Sequence, residues 1–502
     1  MKTTIISISP EINPLGAGNI TTYLRHYGYN VSLLYLIAAH KIPLEESVED
    51  NIISFLEETK PDVLGFSVMT IFYNSIKKLS DKIRKKIPAI KIIWGGIHPT
   101  IRPDECLEHC DFVCRGEGEE PLLDLISRLD KGEEYHDIPN LSLRKNGDIH
   151  HNEIRPLCQD LDQRPFPVFD WENTYIIHTK SVIPLKKDIF NRYRAKKGTI
   201  YGVMPSRGCP FSCSFCCNST YKKLYRGKGK MLRYRPVENV VAELEYVIRE
   251  FPAVRGINFE DDALASAPEK YLEGFCKLYK ERIDLPFQIR ILPLANVKEK
   301  KIKLLKSAGL VGAAMGLQGS DKMNKEVYKR PTTQKTFIDL ANMLHRNKII
   351  GKYDLIIDNP YSDEYDEIEA IQTFMKIPKP YNLRVFSLAF FPLTELSAQA
   401  LKDGIFDKTT SGYEAVYGNE KHLYPTLAWI AEMTPFTPRF LIAFFLSLRK
   451  SPTGKGTLWL YFRSIYKVQR KLINFILERP KYILFLHSLL TKGKGNQCAQ
   501  LN

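Results

Sequence analysis

The chain has no apolar run long enough to cross a membrane: its longest candidate, Phe440 to Leu446, is closed by Ser447 and Arg449, whereas a spanning helix needs about 20 residues. Met1 to Ser9 turns polar too soon for a secretory leader and reads as a first buried strand. Ten cysteines show no paired disulfide framework, so a reducing, cytoplasmic compartment is expected. Acids are scarce in one place: residues 421–502 hold thirteen Lys or Arg against only Glu432 and Glu478. That segment supplies +11 of the +15 net charge and leaves the rest of the chain nearly balanced. Internal repeats and low-complexity tracts are also missing. With 44% apolar residues in 502, the chain can build cores for two or three domains.

Over the first 130 residues, short β-branched runs alternate with polar stretches of helical period, the pattern of a parallel sheet with crossover helices. Strands are expected at 5–9, 30–34, 63–67, 92–94 and 112–114. Residues 140–200 carry Asp160-Leu161-Asp162 and Pro165-Phe166-Pro167 and read as an extended connector. Alternation then resumes, with strands expected at 199–204, 256–259, 287–291, 312–317, 352–357 and 384–389. Six βα units make a partial barrel whose functional end lies at the strand carboxyl ends. The expected fold class is α/β. A doubly wound parallel-sheet (Rossmann-like) domain spans 1–138, a connector 139–197, a partial (β/α)6 barrel 198–410, and a basic helical C-terminal region 411–502.

The run Ser206 to Cys217 sets Cys209, Cys213 and Cys216 in a C-x3-C-x2-C spacing. Three thiolates from one tight loop leave one iron of a four-iron cubane open to chemistry; an electron-transfer cluster takes four. A zinc site usually needs two pairs of ligands. Cys217 cannot comfortably share a metal with its neighbour Cys216, and no second pair follows. Cys106, Cys110 and Cys114 are evenly spaced, but two fall on an expected helix and the third on the next strand, which argues against a common metal.

The three cysteines, with Phe215 before the last and Arg207-Gly208 before the first, resemble the signature of the radical SAM superfamily. The resemblance implies a [4Fe-4S] cluster on Cys209, Cys213 and Cys216 whose open iron chelates S-adenosylmethionine (SAM). Reductive cleavage of SAM would give a 5′-deoxyadenosyl radical, which abstracts hydrogen from unactivated carbon. The resemblance also carries Phe215, Asp261 and Gln318 as SAM contacts. Gln318 stands where the family usually has glutamate, so it can bond a ribose hydroxyl without charge assistance. Asp358 to Glu364 and Phe391 to Leu396 take the places of the fifth-strand and closing segments, each lacking the family's glycines.

Upstream, Glu11 to Gly16, Ser67-Val68-Met69 and Gly95-Gly96 occur in order beyond three expected strand ends and resemble cobalamin-binding domains. The implied contacts are Asn13, Gly16, Ser67, Gly95 and Gly96, glycines letting a flat corrin come close to the backbone. Asn13 occupies the place of the lower axial histidine, which implies cobalamin without a histidine ligand. His98, in Gly95 to Thr100, is read as structural. That run, Arg115 to Glu119 and the Pro165-Phe166-Pro167 connector also resemble cobalamin-dependent radical SAM proteins, in which the first two form the sheet edge and the domain junction.

Lys222 to Arg235 holds seven positive charges and no acid. It leaves three readings open: a site for a phosphate-bearing substrate or nucleic acid, a solvated loop, or Arg233 or Arg235 facing the SAM carboxylate. Phe440 to Leu446 and Tyr482 to Leu486 fit either a helical cap or peripheral contact with an anionic membrane surface. The expected activity is C-methylation by a cobalamin-dependent radical SAM enzyme on a small-molecule or lipid-like substrate, with flavodoxin or ferredoxin as electron donor. A radical cyclase or rearrangement enzyme is the alternative, and a non-catalytic cluster-binding nucleic-acid sensor the second. Nucleic acid is not the expected partner, because a sensor needs no SAM-contacting strand ends.

Overall fold

The computed structural model describes residues 1–9, 12, 15–37, 44–191, 200–294, 296–405, 427, 430–431, 434–435 and 437–448. The chain divides into two compact units, Met1–Arg192 with Ser206–Glu243 and Ala389–Gly418, and Tyr193–Pro205 with Leu244–Leu388 and Asn419–Asn502.

The first unit opens with β1 (Lys2–Ser9), α1 (Ala17–His26), β2 (Asn30–Ile37), α2 (Glu46–Thr59), β3 (Val63–Ser67), α3 (Tyr73–Lys86) and β4 (Lys91–Gly95). It continues with α4 (Ile97–Ile101), α5 (Pro103–Cys106), β5 (Phe112–Cys114) and α6 (Glu119–Lys131). The five strands run parallel in the order β5-β4-β3-β1-β2. Their apolar side chains Ile6, Leu34, Leu64, Ile92 and Trp94 bury in one cluster with Ile52 and Leu56 of α2 and Ile76 and Leu79 of α3. Each such side chain contributes roughly 1.5–3 kcal/mol. Because the chain steps from β1 to β2 on one side and to β3 on the other, the β1/β3 boundary is a topological switch point. Such boundaries open a crevice beyond the strand carboxyl ends.

Residues 141–184 lengthen this sheet at both edges. β6 (Leu141–Lys145) and β7 (Asp148–His151) form a hairpin antiparallel to β5, and β8 (Thr174–His178) and β9 (Ser181–Pro184) form another beside β2. The turns account for both hairpins. Asn146 and Gly147 have φ of 52° and 91°, and Thr179 and Lys180 have 45° and 76°, the paired left-handed residues of a two-residue hairpin turn.

β10 (Ile200–Val203) opens the second unit, and the chain then returns to the first with β11 (Ser206–Arg207), α7 (Cys217–Leu224) and β12 (Arg233–Tyr234). α8 (Val237–Glu250) leads back to the second. There follow β13 (Gly256–Phe259), α9 (Glu269–Arg282), β14 (Phe287–Arg290), α10 (Glu299–Ser307), β15 (Leu310–Gln318), α11 (Gln334–Arg346), β16 (Ile350–Ile357), α12 (Glu364–Lys376) and β17 (Tyr381–Ser387). The six strands pair parallel in chain order, β10-β13-β14-β15-β16-β17, an open partial barrel. Strand side chains alternate between faces. One face carries buried Phe259, Phe287, Tyr353 and Leu355, with Phe275 of α9 and Phe337 of α11 packed edge-on against Phe259 and Tyr353.

α13 (Glu395–Lys402) belongs to the first unit and α14 (Arg439–Leu448) to the second. In α14, Ile442 is buried while Phe440 and Phe444 are exposed, and Arg439 donates to the Ile377 carbonyl at 3.1 Å. Tyr482 to Leu486 lies outside the described residues, among which no helix is long and apolar enough to cross a membrane.

Candidate functional site

At the switch point, Ser7, Ser67 and Gly95 stand side by side in register on β1, β3 and β4. Gly96 follows at φ +100°, and a Cβ there would lie 2.9 Å from the Val68 carbonyl oxygen, so only glycine fits. The edge is tied down by Thr100, whose hydroxyl donates to Gly96 O at 2.7 Å and accepts from Gly116 N at 2.9 Å. Gly16 precedes α1. Met69 and Ile71 are exposed just beyond β3. His98 is 3% exposed, its Nε2 lies 2.9 Å from the Glu105 carboxylate, and its ring packs on Tyr73, which is the structural role expected of it. Burial opposes the charge on Glu105, but His98, Arg102 and Lys77 outweigh it and hold its carboxyl below the usual range. Asn13 lies outside the described residues.

The cysteine loop is built between β11 and α7. Gly208 has φ +88°, and a Cβ there would fall 2.1 Å from the Met231 carbonyl oxygen, in the segment leading into β12. Cys209 and Cys213 are buried and Cys216 is partly exposed. The Cys216 amide donates to Cys213 O at 3.0 Å, and Cys216 is the N-cap of α7, where unpaired amides favour a thiolate. Phe215 lies within this turn, and the Phe391 to Leu396 segment backs it, the Leu396 amide donating to Ser214 O at 3.0 Å. Cys217 is the first residue of α7. None of the nine described cysteines is in a disulfide.

Behind the loop lies a buried ion network that the charge pattern did not reveal. Arg207 places Nη2 2.6 Å from Glu119 and Nη1 3.5 Å from Glu117. Arg233 grips Glu117 through both nitrogens at 2.7 and 3.2 Å and donates to Cys158 O. Arg164 and Arg155 pair with Glu120 at 2.6 and 2.9 Å. Burial would raise the Glu119 carboxyl, but Arg207 and Arg164 outweigh it and hold it at about 2. Arg233 pairs with Glu117, and Arg235 with Glu243 and Asn239. A basic run shows its charge in sequence but not its partners.

In the second unit, Asp261 follows β13; it is 3% exposed, and its Oδ2 accepts from Ala263 N at 3.2 Å. Burial raises the neighbouring Asp262 carboxyl, against the pull of Arg290 and Arg330. Gln318 ends β15 at a bulge, with φ +74°. Its side chain folds over Gly316, and its Oε1 is buried without a hydrogen-bond donor. A strained residue aiming an unsatisfied acceptor at a strand end suits a ligand hydroxyl. Asp358 follows β16 at φ +58°, in the left-handed conformation that the absent glycine would adopt freely, and accepts from Ser387 Oγ at 2.6 Å. Burial and then Asp358 raise the nearby Glu367 carboxyl to about 7.

The residues present fit the implied groups. Three thiols share one tight turn, a glycine-only sheet edge adjoins exposed apolar side chains, and an orphaned acceptor waits at a strand end. Among the described residues no three His, Cys, Asp or Glu side chains converge on a single metal ion. A cubane needs no such convergence, because each thiolate takes a different corner iron. A switch-point domain and a parallel half-barrel, with a three-thiol loop between their strands in sequence, define a cofactor enzyme of two α/β domains.

The comparisons name its kind. Residues 1–126 match the B12 binding domain, and residues 203–371 match the radical SAM superfamily. An uncharacterised methyltransferase of Pyrococcus horikoshii is 26% identical over 370 residues, 72% of this chain and 73% of that protein. The anaerobic magnesium-protoporphyrin IX monomethyl ester cyclase of Rubrivivax gelatinosus is 24% identical over 384 residues, 74% of this chain and 62% of the cyclase. The fold is similar to that of the cobalamin-dependent SAM radical enzyme OxsB, solved with aqua-cobalamin and SAM bound, with a TM-score of 0.67 at 16% identity over 98% of this chain and 75% of that one. The chain therefore combines a B12 binding domain with a radical SAM domain.

Proposed function

We propose that this enzyme is a C-methyltransferase acting on an unactivated carbon of a small biosynthetic molecule. In this reading Cys209, Cys213 and Cys216 would hold a [4Fe-4S] cluster, Phe215, Asp261 and Gln318 would seat SAM, and Asn13, Gly16, Ser67, Gly95 and Gly96 would carry cobalamin. When bound, these groups supply a 5′-deoxyadenosyl radical and a transferable methyl group. The protein's own part is positional. The Gln318 Oε1 accepts from a ribose hydroxyl, Met69 and Ile71 support a flat apolar ring system, and the Glu119–Arg207 pair fixes the strand leading into the cysteine loop. Domain limits at 138, 197 and 410, a flavodoxin or ferredoxin donor and a cytoplasmic setting complete the proposal.

The observation that carries it is the occurrence in one chain of a three-cysteine loop and a switch-point edge closed to everything but glycine at Gly96. The likeness to a cyclase keeps radical cyclisation as a second reading. Reduced, reconstituted protein incubated with methyl-deuterated SAM and a metabolite extract separates the two. A metabolite gaining deuterated methyl together with 5′-deoxyadenosine supports methyl transfer. Deoxyadenosine formed alongside an altered but unlabelled metabolite selects the cyclase reading.

A further inference from the structure

The face of the half-barrel sheet opposite the helices is lined by small and polar residues. Strand pairing puts Arg290, Ala314, Lys352 and Asn382 in one row, and Gly316, Asp354 and Arg384 in the next row toward the carboxyl ends. Partners in parallel register share a face. On this surface the side chains of Gln288 and Gln318 lie over Gly312 and Gly316, and the ring of Phe386 is exposed near its carboxyl end.

The charges here are unevenly matched. Arg384 is paired with Asp354 at 2.7 and 2.9 Å, and Arg290 lies 3.3 Å from Glu260. Among the described residues the hydrogen-bond partner of Lys352 is neutral: its Nζ donates to Gln288 Oε1 at 2.6 Å. Burial, then Arg384, push its ammonium below the usual value, against the pull of Glu260. A partly buried ammonium without a carboxylate is costly unless something anionic joins it. Lys352 shares its row with Asn382, four residues before Phe386. At ~3.3 Å per residue this sets the Lys352 backbone roughly 13 Å from that of Phe386 along the strand direction.

We propose that Lys352 anchors an oxyanion of the substrate, a carboxylate or a phosphate, with an apolar portion of the same molecule lying toward Phe386. The inference rests on the functional reading above, since it takes this face as the substrate chamber. It also makes the substrate an amphipathic anion rather than a neutral lipid.

The test is amine labelling of the reconstituted full chain with limiting N-acetoxysuccinimide, reading acetylation of each lysine by mass spectrometry. Inorganic phosphate and acetate are compared with chloride at equal ionic strength. Either oxyanion should slow acetylation of Lys352 about tenfold, the scale of one charge-assisted hydrogen bond, and leave exposed Lys335 unchanged. Protection by phosphate alone assigns a phosphate-bearing substrate, and protection by acetate alone a carboxylate. Equal labelling of Lys352 in all three salts overturns the proposal. SAM cleavage by the same preparation is scored separately. Protection without cleavage sinks the cofactor reading and leaves the anion site standing; cleavage without protection does the reverse.

Discussion

Replacing Glu119 by glutamine keeps the size and one acceptor of the side chain but removes its charge from between Arg207 and Arg164. The carboxyl is held at about 2 against an ordinary 4.5. At roughly 1.4 kcal/mol per pH unit, the charged form contributes about 3 kcal/mol to the folded first unit at neutral pH. Because the folded value is depressed, that contribution is fully present above the unfolded value, near 4.5, and is lost as pH falls toward 2. Urea unfolding followed through Trp94 and Trp171, which lie in this unit, should therefore show E119Q destabilised by about 3 kcal/mol at pH 7. The gap from wild type should narrow steadily below pH 4.5. Since Arg207 leads directly into Gly208 and Cys209, the variant should also surrender iron to a chelator faster than wild type. Equal midpoints at neutral pH, or a gap that stays constant into acid, would refute the assignment of Glu119 as the charge that fixes this loop.

Alanine at Cys209, Cys213 or Cys216 should abolish both the brown cluster absorbance and SAM cleavage, whereas Cys217→Ala should keep the absorbance; loss of colour in that variant alone would reassign the ligand set. Gly96→Ala, which forces a Cβ to 2.9 Å from Val68 O at positive φ, should lower cobalamin retention on gel filtration at least tenfold while cluster iron stays constant. Gln318→Ala removes one neutral hydrogen bond to the ribose, worth about 1 kcal/mol, and should weaken SAM binding roughly fivefold by equilibrium dialysis; unchanged affinity would remove Gln318 from the site.

The strands were legible wherever burial on a sheet imposes an apolar run. Val63–Ser67, Phe112–Cys114 and Gly256–Phe259 have the limits their sequences suggest. The hairpins of residues 141–151 and 174–184 escaped because four- or five-residue edge strands carry too little periodicity, although Asn146-Gly147 was a readable turn signal. The cysteine loop was legible because its ligands are close in sequence. The Glu117–Arg233 and Glu119–Arg207 pairs were not, since they join residues about a hundred positions apart and charge alone does not name a partner. The bulge at Gln318 left no mark either, because an extra residue in a strand changes geometry and not composition.

The proposed function requires one chain to hold a site-open iron-sulfur cluster and cobalamin and to use them on SAM. The most direct measurement is anaerobic reconstitution followed by iron, sulfide and cobalamin analysis, with 5′-deoxyadenosine quantified after reduction in the presence of SAM. The account predicts about four irons and one cobalamin per chain, together with deoxyadenosine that disappears in Cys213→Ala. A fully loaded, reduced protein that leaves SAM intact would contradict it.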